Sequence, residues 1–84
     1  MADILYFASL AETIGSKAEQ IELPSDCKTV ADLVELLCAR GEPYAGAFDG
    51  SIRILVAINQ EMSEPTAAVS ASDEIAFFPP VTGG

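Results

Sequence analysis

The sequence predicts an α+β fold in which a mixed β-sheet packs on one main helix. Short segments rich in β-branched and aromatic residues lie towards both ends of the chain, bounded by glycine, proline or polar turns. One segment between them carries apolar residues at helical spacing. A chain of 84 residues has room for one hydrophobic core, so we expect a single domain over 1–84.

Two strands are predicted in the first quarter of the chain. Residues 4–8, Ile-Leu-Tyr-Phe-Ala, suit a pleated surface. Residues 19–23 alternate acid or amide with aliphatic side chains and end before Pro24. The intervening segment, 9–17, is predicted to be a loop or a short turn of helix. The two strands are therefore expected to form a hairpin.

The main helix is predicted to begin after Thr29, whose hydroxyl can cap the free amides, with Asp32 in the first turn. Gly41 suits the position that follows a helix end, Arg40 suits its negative end, and Pro43 blocks its continuation. The apolar stripe of this helix consists of Val30, Leu33, Val34 and Leu37.

The second half of the chain predicts a short helical turn that places Phe48 on the core, followed by three strands. The turn covers 44–49, and the strands cover 52–58, 61–62 and 74–78. Apart from the short strand at 61–62, the order ββαββ is that of the β-grasp, or ubiquitin-like, fold. We expect the first and last strands to lie side by side and parallel at the centre of the sheet.

The alternation of side chains along these strands predicts an apolar patch on the sheet face that points away from the helix. The outward positions are polar at Asp3, Arg53, Asn59 and Glu74, but apolar at Leu5, Phe7, Leu55, Ala57 and Phe78. An exposed patch of this kind is typical of a partner site. The alternative is that the loops at 9–17 and 63–71 fold over it.

Charge and hydropathy exclude several classes of function. Thirteen acidic residues oppose four basic ones, for a net charge of −9, so we expect no binding to nucleic acid. The acids serve solubility or docking onto a basic partner. Apolar runs are far too short to span a membrane, and an acid at position 3 argues against a signal peptide. We expect a cytoplasmic protein that does not contact membranes.

The chain lacks the side chains of most catalytic and metal sites. It has no histidine, so no Ser-His or Cys-His pair and no imidazole ligand, and we expect no bound metal or cofactor. Cys27 and Cys38 flank the predicted helix, which holds them roughly 15 Å apart, too far for a disulfide. Cys38 is interpreted as a packing residue and Cys27 as a partly exposed bystander.

The chemistry is predicted to reside in an extended C-terminal tail, 79–84. Pro79 and Pro80 stiffen its base, and Val81 and Thr82 offer side chains for a partner to grip. Gly83-Gly84 has no side chains and can thread a narrow tunnel. A carboxylate is a poor electrophile, so the α-carboxyl of Gly84 must first be activated, for which an acyl-adenylate made with ATP is the obvious route.

The ending Phe77-Phe78-Pro79-Pro80-Val81-Thr82-Gly83-Gly84 closely resembles that of the small, sulfur-carrier subunits of molybdopterin synthase. More loosely, the resemblance covers the whole chain, including Phe7-Ala8, the Asn59-Gln60 turn and Asp73-Glu74. Many members of that family carry an arginine in the first loop where this chain has Ala11, which removes one charged contact but not the chemistry.

The resemblance implies a function and a set of partners. Gly84, assisted by the side-chain-free Gly83, would be adenylated by a ubiquitin-activating-type adenylyltransferase and converted by a sulfur donor to a thiocarboxylate. The tail would then enter the large subunit, in a heterotetramer of two small and two large subunits, and give sulfur to cyclic pyranopterin monophosphate. The chain is not expected to be catalytic alone. The implied partner surface comprises Phe7, Met62, Phe78, Pro79, Pro80, Val81 and Thr82.

Three alternatives remain open at this stage. A thiamine-type sulfur carrier would use the same chemistry at Gly84 with a different acceptor. A ubiquitin-like modifier would instead form isopeptide bonds with lysines. An interaction module with an inert tail would have the same fold, because fold does not determine function.

Overall fold

The computed structural model describes residues 1–50 and 53–80, and it shows a five-stranded mixed sheet packed on helices. The sheet order is β2-β1-β5-β3-β4, with β1 and β5 parallel at the centre and the other neighbours antiparallel. This confirms the predicted β-grasp. The elements are β1 Ala2–Tyr6, α1 Ala8–Ile14, β2 Ala18–Ile21, α2 Val30–Cys38, α3 Tyr44–Ala47, β3 Leu55–Ile58, β4 Glu61–Ser63 and β5 Glu74–Phe78.

β1 and β2 pair antiparallel as predicted, and their connection contains the seven-residue helix α1 where the sequence predicted a loop or a short turn of helix. β1 ends at Tyr6, and Ala8, in a left-handed conformation with φ 54°, turns the chain into α1. The carbonyl of Phe7 accepts bonds from the amides of Leu10 and Ala11. No side chain caps this helix start, which explains why the sequence carries no clear helix signal there.

The start of α2 follows the prediction closely. The hydroxyl of Thr29 accepts a bond from the amide of Asp32, and the carboxylate of Asp32 accepts one from the amide of Thr29, which forms a capping box. The loop before β5 covers the next two amides, because the carbonyls of residues 67 and 65 accept bonds from Val30 and Ala31. The end differs by one residue: Ala39 is the cap, and the left-handed Gly41 lies two positions beyond it.

The core lies between the helices and the inner face of the sheet. Its largest fully buried side chains are Ile4, Tyr6, Leu33, Leu37, Ile75 and Phe77. The ring of Phe48, which follows α3, meets the ring of Phe77 edge-on with 5.2 Å between centroids, as predicted for the 44–49 turn.

The last three strands confirm the prediction with two changes of boundary, since β4 extends to Ser63 and β3 starts later than predicted. Position 52 of the predicted strand lies outside the described residues. β3 begins at Leu55, and the preceding Arg53 and Ile54 are outside it, although the sequence predicted a strand from 52. Asn59 and Gln60 both have positive φ, which gives a tight turn of the mirror-image type that favours hairpins. Across the described ranges, no helix is long and apolar enough to cross a membrane.

Candidate functional site: the outer sheet face and the base of the tail

An apolar row crosses all five strands on the sheet face that points away from α2. The register places Leu5 between Ala18 and Ala76. Ala57 lies in turn between Ala76 and Met62, which is on the edge strand β4. Residues directly opposite on neighbouring strands point to the same face. These five side chains therefore form one continuous band, which we call the apolar row.

A second group of apolar side chains lies nearer to the C-terminal end of β5. Leu55 is opposite Phe78. The amide of Phe7 donates to the carbonyl of Phe77 at 3.1 Å, which continues the β1–β5 pairing and brings Phe7 beside Phe78. Phe7 is 48% exposed and Met62 is 65% exposed. Large apolar side chains so exposed on one face favour a partner site. We call this group and the apolar row together the outer face.

The opposite end of the same sheet face is polar and internally bonded. The side-chain amide of Gln20 donates to Asp3 at 3.0 Å, and that of Asn59 donates to Asp73 at 3.0 Å. The backbone amide of Glu74 donates back to the side-chain oxygen of Asn59. The bond from Asn59 is the main reason that the pKa of Asp73 is lowered. The apolar part of the face is thus confined to the end from which the tail departs.

The loops that offered an alternative explanation do not cover the outer face. α1 replaces most of the first loop, and its buried Leu10 and Ile14 belong to the core on the helix side. The second loop pairs with the start of α2 through a bridge between Thr29 and Ala68. Both connections therefore lie against the helices, and the outer face is left to solvent or to a partner.

The base of the tail follows directly from the central strand of the sheet, which is anchored in the core. Phe77 on the central strand β5 is 1% exposed, and its ring stacks on that of Tyr6 with 6.4 Å between centroids. Pro79 and Pro80 follow directly and are half-buried. The proposed chemical end of the tail, Val81, Thr82, Gly83 and Gly84, lies outside the described residues.

The cysteines are poorly suited to nucleophilic chemistry. Burial, together with the charges of Asp32 and Asp26, raises the pKa of Cys27, so its thiolate fraction at neutral pH is small. Cys27 is partly exposed, as predicted, and packs against the edge of the core, and Cys38 is half-buried at the last turn of α2. In the described ranges, no cluster of histidine, cysteine or acidic side chains is arranged to hold a metal ion.

The sequence analysis missed a polar cluster on Glu19 that fixes the framework of the fold. Its carboxylate accepts bonds from Arg40 at 2.7 Å, Tyr6 at 2.9 Å and Tyr44 at 3.3 Å. Burial opposes its ionisation, but the bonds from Arg40 and Tyr6 outweigh burial and lower the pKa of Glu19. Tyr6, Arg40 and Tyr44 lie 13, 21 and 25 residues from Glu19 in the sequence, so no local sequence pattern predicts these bonds.

A family model and curated relatives both match almost the whole chain. Residues 4–84 match the ThiS family. The chain is 44% identical to the molybdopterin synthase sulfur carrier subunit of Haemophilus influenzae and 36% identical to that of Escherichia coli, in each case over the full length of both chains.

Archaeal proteins of the same shape are also similar. The small archaeal modifier protein 1 of Haloferax volcanii is 36% identical, with 93% of this chain and 94% of that protein covered. A crystal structure of that modifier superposes with a TM-score of 0.76 at 34% identity, covering 99% of this chain and 98% of the other. A Pyrococcus furiosus structure titled as a putative molybdopterin converting factor, subunit 1, also gives a TM-score of 0.76, at 26% identity over 95% of this chain and 97% of that one.

Proposed function

The chain belongs to the ThiS family, and from that premise we propose that it carries sulfur for the biosynthesis of the molybdenum cofactor. Two observations support the proposal. The most similar of the relatives described above are named molybdopterin synthase sulfur carrier subunits. A diglycine also follows a few residues after the central strand β5, which suits a carboxylate that must be delivered into another protein.

The first half of the proposed chemistry loads the tail. The α-carboxylate of Gly84 attacks the α-phosphorus of ATP held by a ubiquitin-activating-type adenylyltransferase, and pyrophosphate leaves. Hydrosulfide released by a sulfur donor then attacks the carbonyl carbon, AMP leaves, and a thiocarboxylate remains. ATP is bound by the activating enzyme, not by this chain, and we expect both proteins to be cytoplasmic. Gly83 and Gly84 let the tail enter both active sites because they have no side chains.

The second half transfers the sulfur. Inside the large subunit, the thiocarboxylate sulfur attacks an electrophilic carbon of cyclic pyranopterin monophosphate and displaces an oxygen substituent from it, which gives a thioester. Water hydrolyses that thioester, so the sulfur stays on the precursor and the carboxylate of Gly84 is regenerated. A dithiolene needs two sulfur atoms and each carrier brings one. Two carriers per precursor suit a heterotetramer of two small and two large subunits.

The observation that carries the proposal is the position of the outer face. It lies at the end of the sheet where β5 leads into Pro79 and Pro80. A large subunit that covers Phe7, Met62 and Phe78 therefore sits where it can also receive the tail. In this proposal the outer face provides the main binding surface. The tail contacts the large subunit through Val81 and Thr82 and carries the reactive group at its end.

Intact-mass spectrometry tests the loading step. The chain is incubated with the adenylyltransferase, ATP and a sulfur donor. We expect a product heavier by the difference between one sulfur and one oxygen atom, which is absent without ATP. A chain truncated after Gly83 is the matched control and should stay unmodified. An unchanged mass for the full chain would contradict the proposal.

A second candidate, a ubiquitin-like modifier, is favoured by the similarity to small archaeal modifier protein 1. Both functions begin with adenylation of Gly84, so the loading experiment does not separate them. The acceptor does: a modifier forms isopeptide bonds with lysine side chains, whereas a sulfur carrier yields molybdopterin. Cellular proteins that carry this chain covalently attached, and that keep it in denaturing gels of cell extracts, would favour the modifier.

A further inference from the structure

An open depression of about 450 Å³ lies beside β3, where its partner strand β4 ends. Its wall on the β3 side includes Leu55, which is opposite Phe78 and so belongs to the outer face. The depression therefore adjoins the proposed large-subunit surface and lies close to the start of the tail. Across it stand Ser63, the last residue of β4, and the following Glu64 and Pro65.

The β3 side of this depression has an unpaired backbone edge. The amide of Asn59 donates to the carbonyl of Glu74 on β5, and the groups of alternate residues in an antiparallel strand point to opposite sides. Residues 58 and 56 therefore face β4, where they are opposite Glu61 and Ser63. Ile54 is the next residue to face that side, but β4 has already ended.

Nothing in the described parts of the chain pairs with the backbone of Ile54. The register would place Pro65 opposite, and proline has no N–H to donate. The carbonyl of Pro65 instead accepts a bond from the amide of Ala31 at 2.9 Å. The donor and the acceptor of Ile54 are thus both available to an added strand, which is the arrangement used in β-strand addition.

The two walls of the depression differ in charge, because Arg53 lies on the β3 side and Glu64 lies on the opposite side. Arg53 is exposed on its wall, and among the described residues it has no ion pair, unlike Arg40, which bonds to Glu19. The chain has only four basic residues against thirteen acidic ones, so its surface is mostly negative. Arg53 places a positive charge beside the apolar outer face. A guanidinium in this position is suited to bind a carboxylate.

We propose that the depression binds an extended segment of the large subunit, which adds a short strand along Ile54 and places a carboxylate beside Arg53. The inference rests on the proposed function in one respect, that the large subunit is the partner. It goes further because it assigns a second, polar contact beside the outer face. Hydrogen bonds in this contact would fix the orientation of the carrier as the tail enters the large subunit.

Binding of charge variants to the large subunit tests the carboxylate contact. Arg53→Glu should weaken binding by about tenfold or more at low salt, with a smaller effect at high salt, whereas Arg53→Lys should retain most of the affinity. Lys28→Glu makes the same change of net charge at an exposed residue before α2 and should bind like the parent. Equal losses for Arg53→Glu and Lys28→Glu, or no loss for Arg53→Glu, would overturn the contact.

Hydrogen exchange of the parent carrier tests the added strand. The amide of Ile54 should exchange quickly in the free chain and at least about tenfold more slowly in the complex. An exchange rate at Ile54 that is unchanged by binding would overturn the strand pairing. A failure of the proposed function would give a different result. In that case the chain would not bind the large subunit at all, whatever residue stands at position 53.

Discussion

The hydroxyl of the buried Tyr6 donates a hydrogen bond of 2.9 Å to the carboxylate of Glu19. The same carboxylate binds Arg40 and Tyr44, and the guanidinium of Arg40 lies 5.1 Å from the centre of the Tyr44 ring. Strands β1 and β2, the segment after α2 and the start of α3 therefore meet at one half-buried side chain. This cluster supports the inner side of the sheet whose other side we assign to the partner.

Replacement of Glu19 should destabilise the fold without changing its chemistry. Glu19→Ala leaves the Tyr6 hydroxyl buried without an acceptor, which should cost about 2 kcal/mol in the free energy of unfolding. In a domain of this size that lowers the melting temperature by about 10 °C. Glu22→Ala removes an exposed acid from the same region and is the matched control. Thermal melts that give equal values for both variants would contradict this role.

The contribution of Glu19 should depend on pH in a defined direction. Its pKa is lowered in the folded state from an ordinary value of 4.5. A group with a lowered folded pKa stabilises the fold above its unfolded pKa, and that stabilisation is lost as pH falls through the folded value. The difference in unfolding free energy between the parent and Glu19→Gln should be constant from about pH 7 to about pH 5 and shrink below about pH 4.5. Urea titrations at each pH measure it, and a difference that grows on acidification would show the opposite linkage.

An acid placed on the outer face should weaken partner binding selectively. Met62 is 65% exposed, so Met62→Asp removes little buried area and should fold normally. It puts a charge in the apolar row, where a partner must desolvate it, and should weaken binding to the large subunit by at least about tenfold. Ala31→Asp adds the same charge to the exposed side of α2 and should bind as the parent does. Calorimetric titration compares them, and equal affinities would exclude the outer face as the interface.

Side-chain alternation explains why much of the candidate site was predictable from the sequence. The strand pattern alone placed Leu5, Phe7 and Phe78 on the face away from α2, and the structure confirms this. Ala18 was not recognised, because the predicted second strand began one residue later. Its place in the apolar row follows only from its register opposite Leu5.

Contacts between distant segments explain what the sequence did not reveal. Helix α1 has no capping side chain, and its start depends on the left-handed Ala8 and the carbonyl of Phe7. The cluster on Glu19 and the open edge at Ile54 arise from the packing and register of strands. The side-chain pattern of one strand does not reveal where the adjacent strand in the sheet ends.

Neither cysteine should be needed for sulfur transfer. A thiol with a raised pKa, such as that of Cys27, is a weak nucleophile at neutral pH, and the proposed carrier atom is bound to Gly84. The double variant Cys27→Ser, Cys38→Ser should therefore form molybdopterin at the parent rate once loaded. Because both thiols are partly buried, circular dichroism must first show that the variant is folded. A folded double variant that loads but transfers no sulfur would assign the nucleophile to a cysteine.

Deletion of Gly84 should abolish sulfur transfer while it leaves the fold intact. In the proposed chemistry every covalent step involves the α-carboxyl group of Gly84, and a terminal glycine contributes little to stability. The extension of the chain by one residue should be equally damaging, since the carboxyl then lies beyond the reacting position. Gly83→Ala should fold normally but transfer poorly, because its Cβ must enter a channel shaped for glycine.

Two measurements on the same samples make this last prediction decisive. Molybdopterin formation from precursor is followed with separately thiocarboxylated parent and with each tail variant, and binding to the large subunit is measured in parallel. Binding should persist in all of them, because in the proposed complex the outer face supplies most of the contact area. A chain without Gly84 that still supports product formation would disprove the assignment of the chemistry. Loss of binding together with activity would instead place the main attachment in the tail, and the Met62→Asp variant would then bind like the parent.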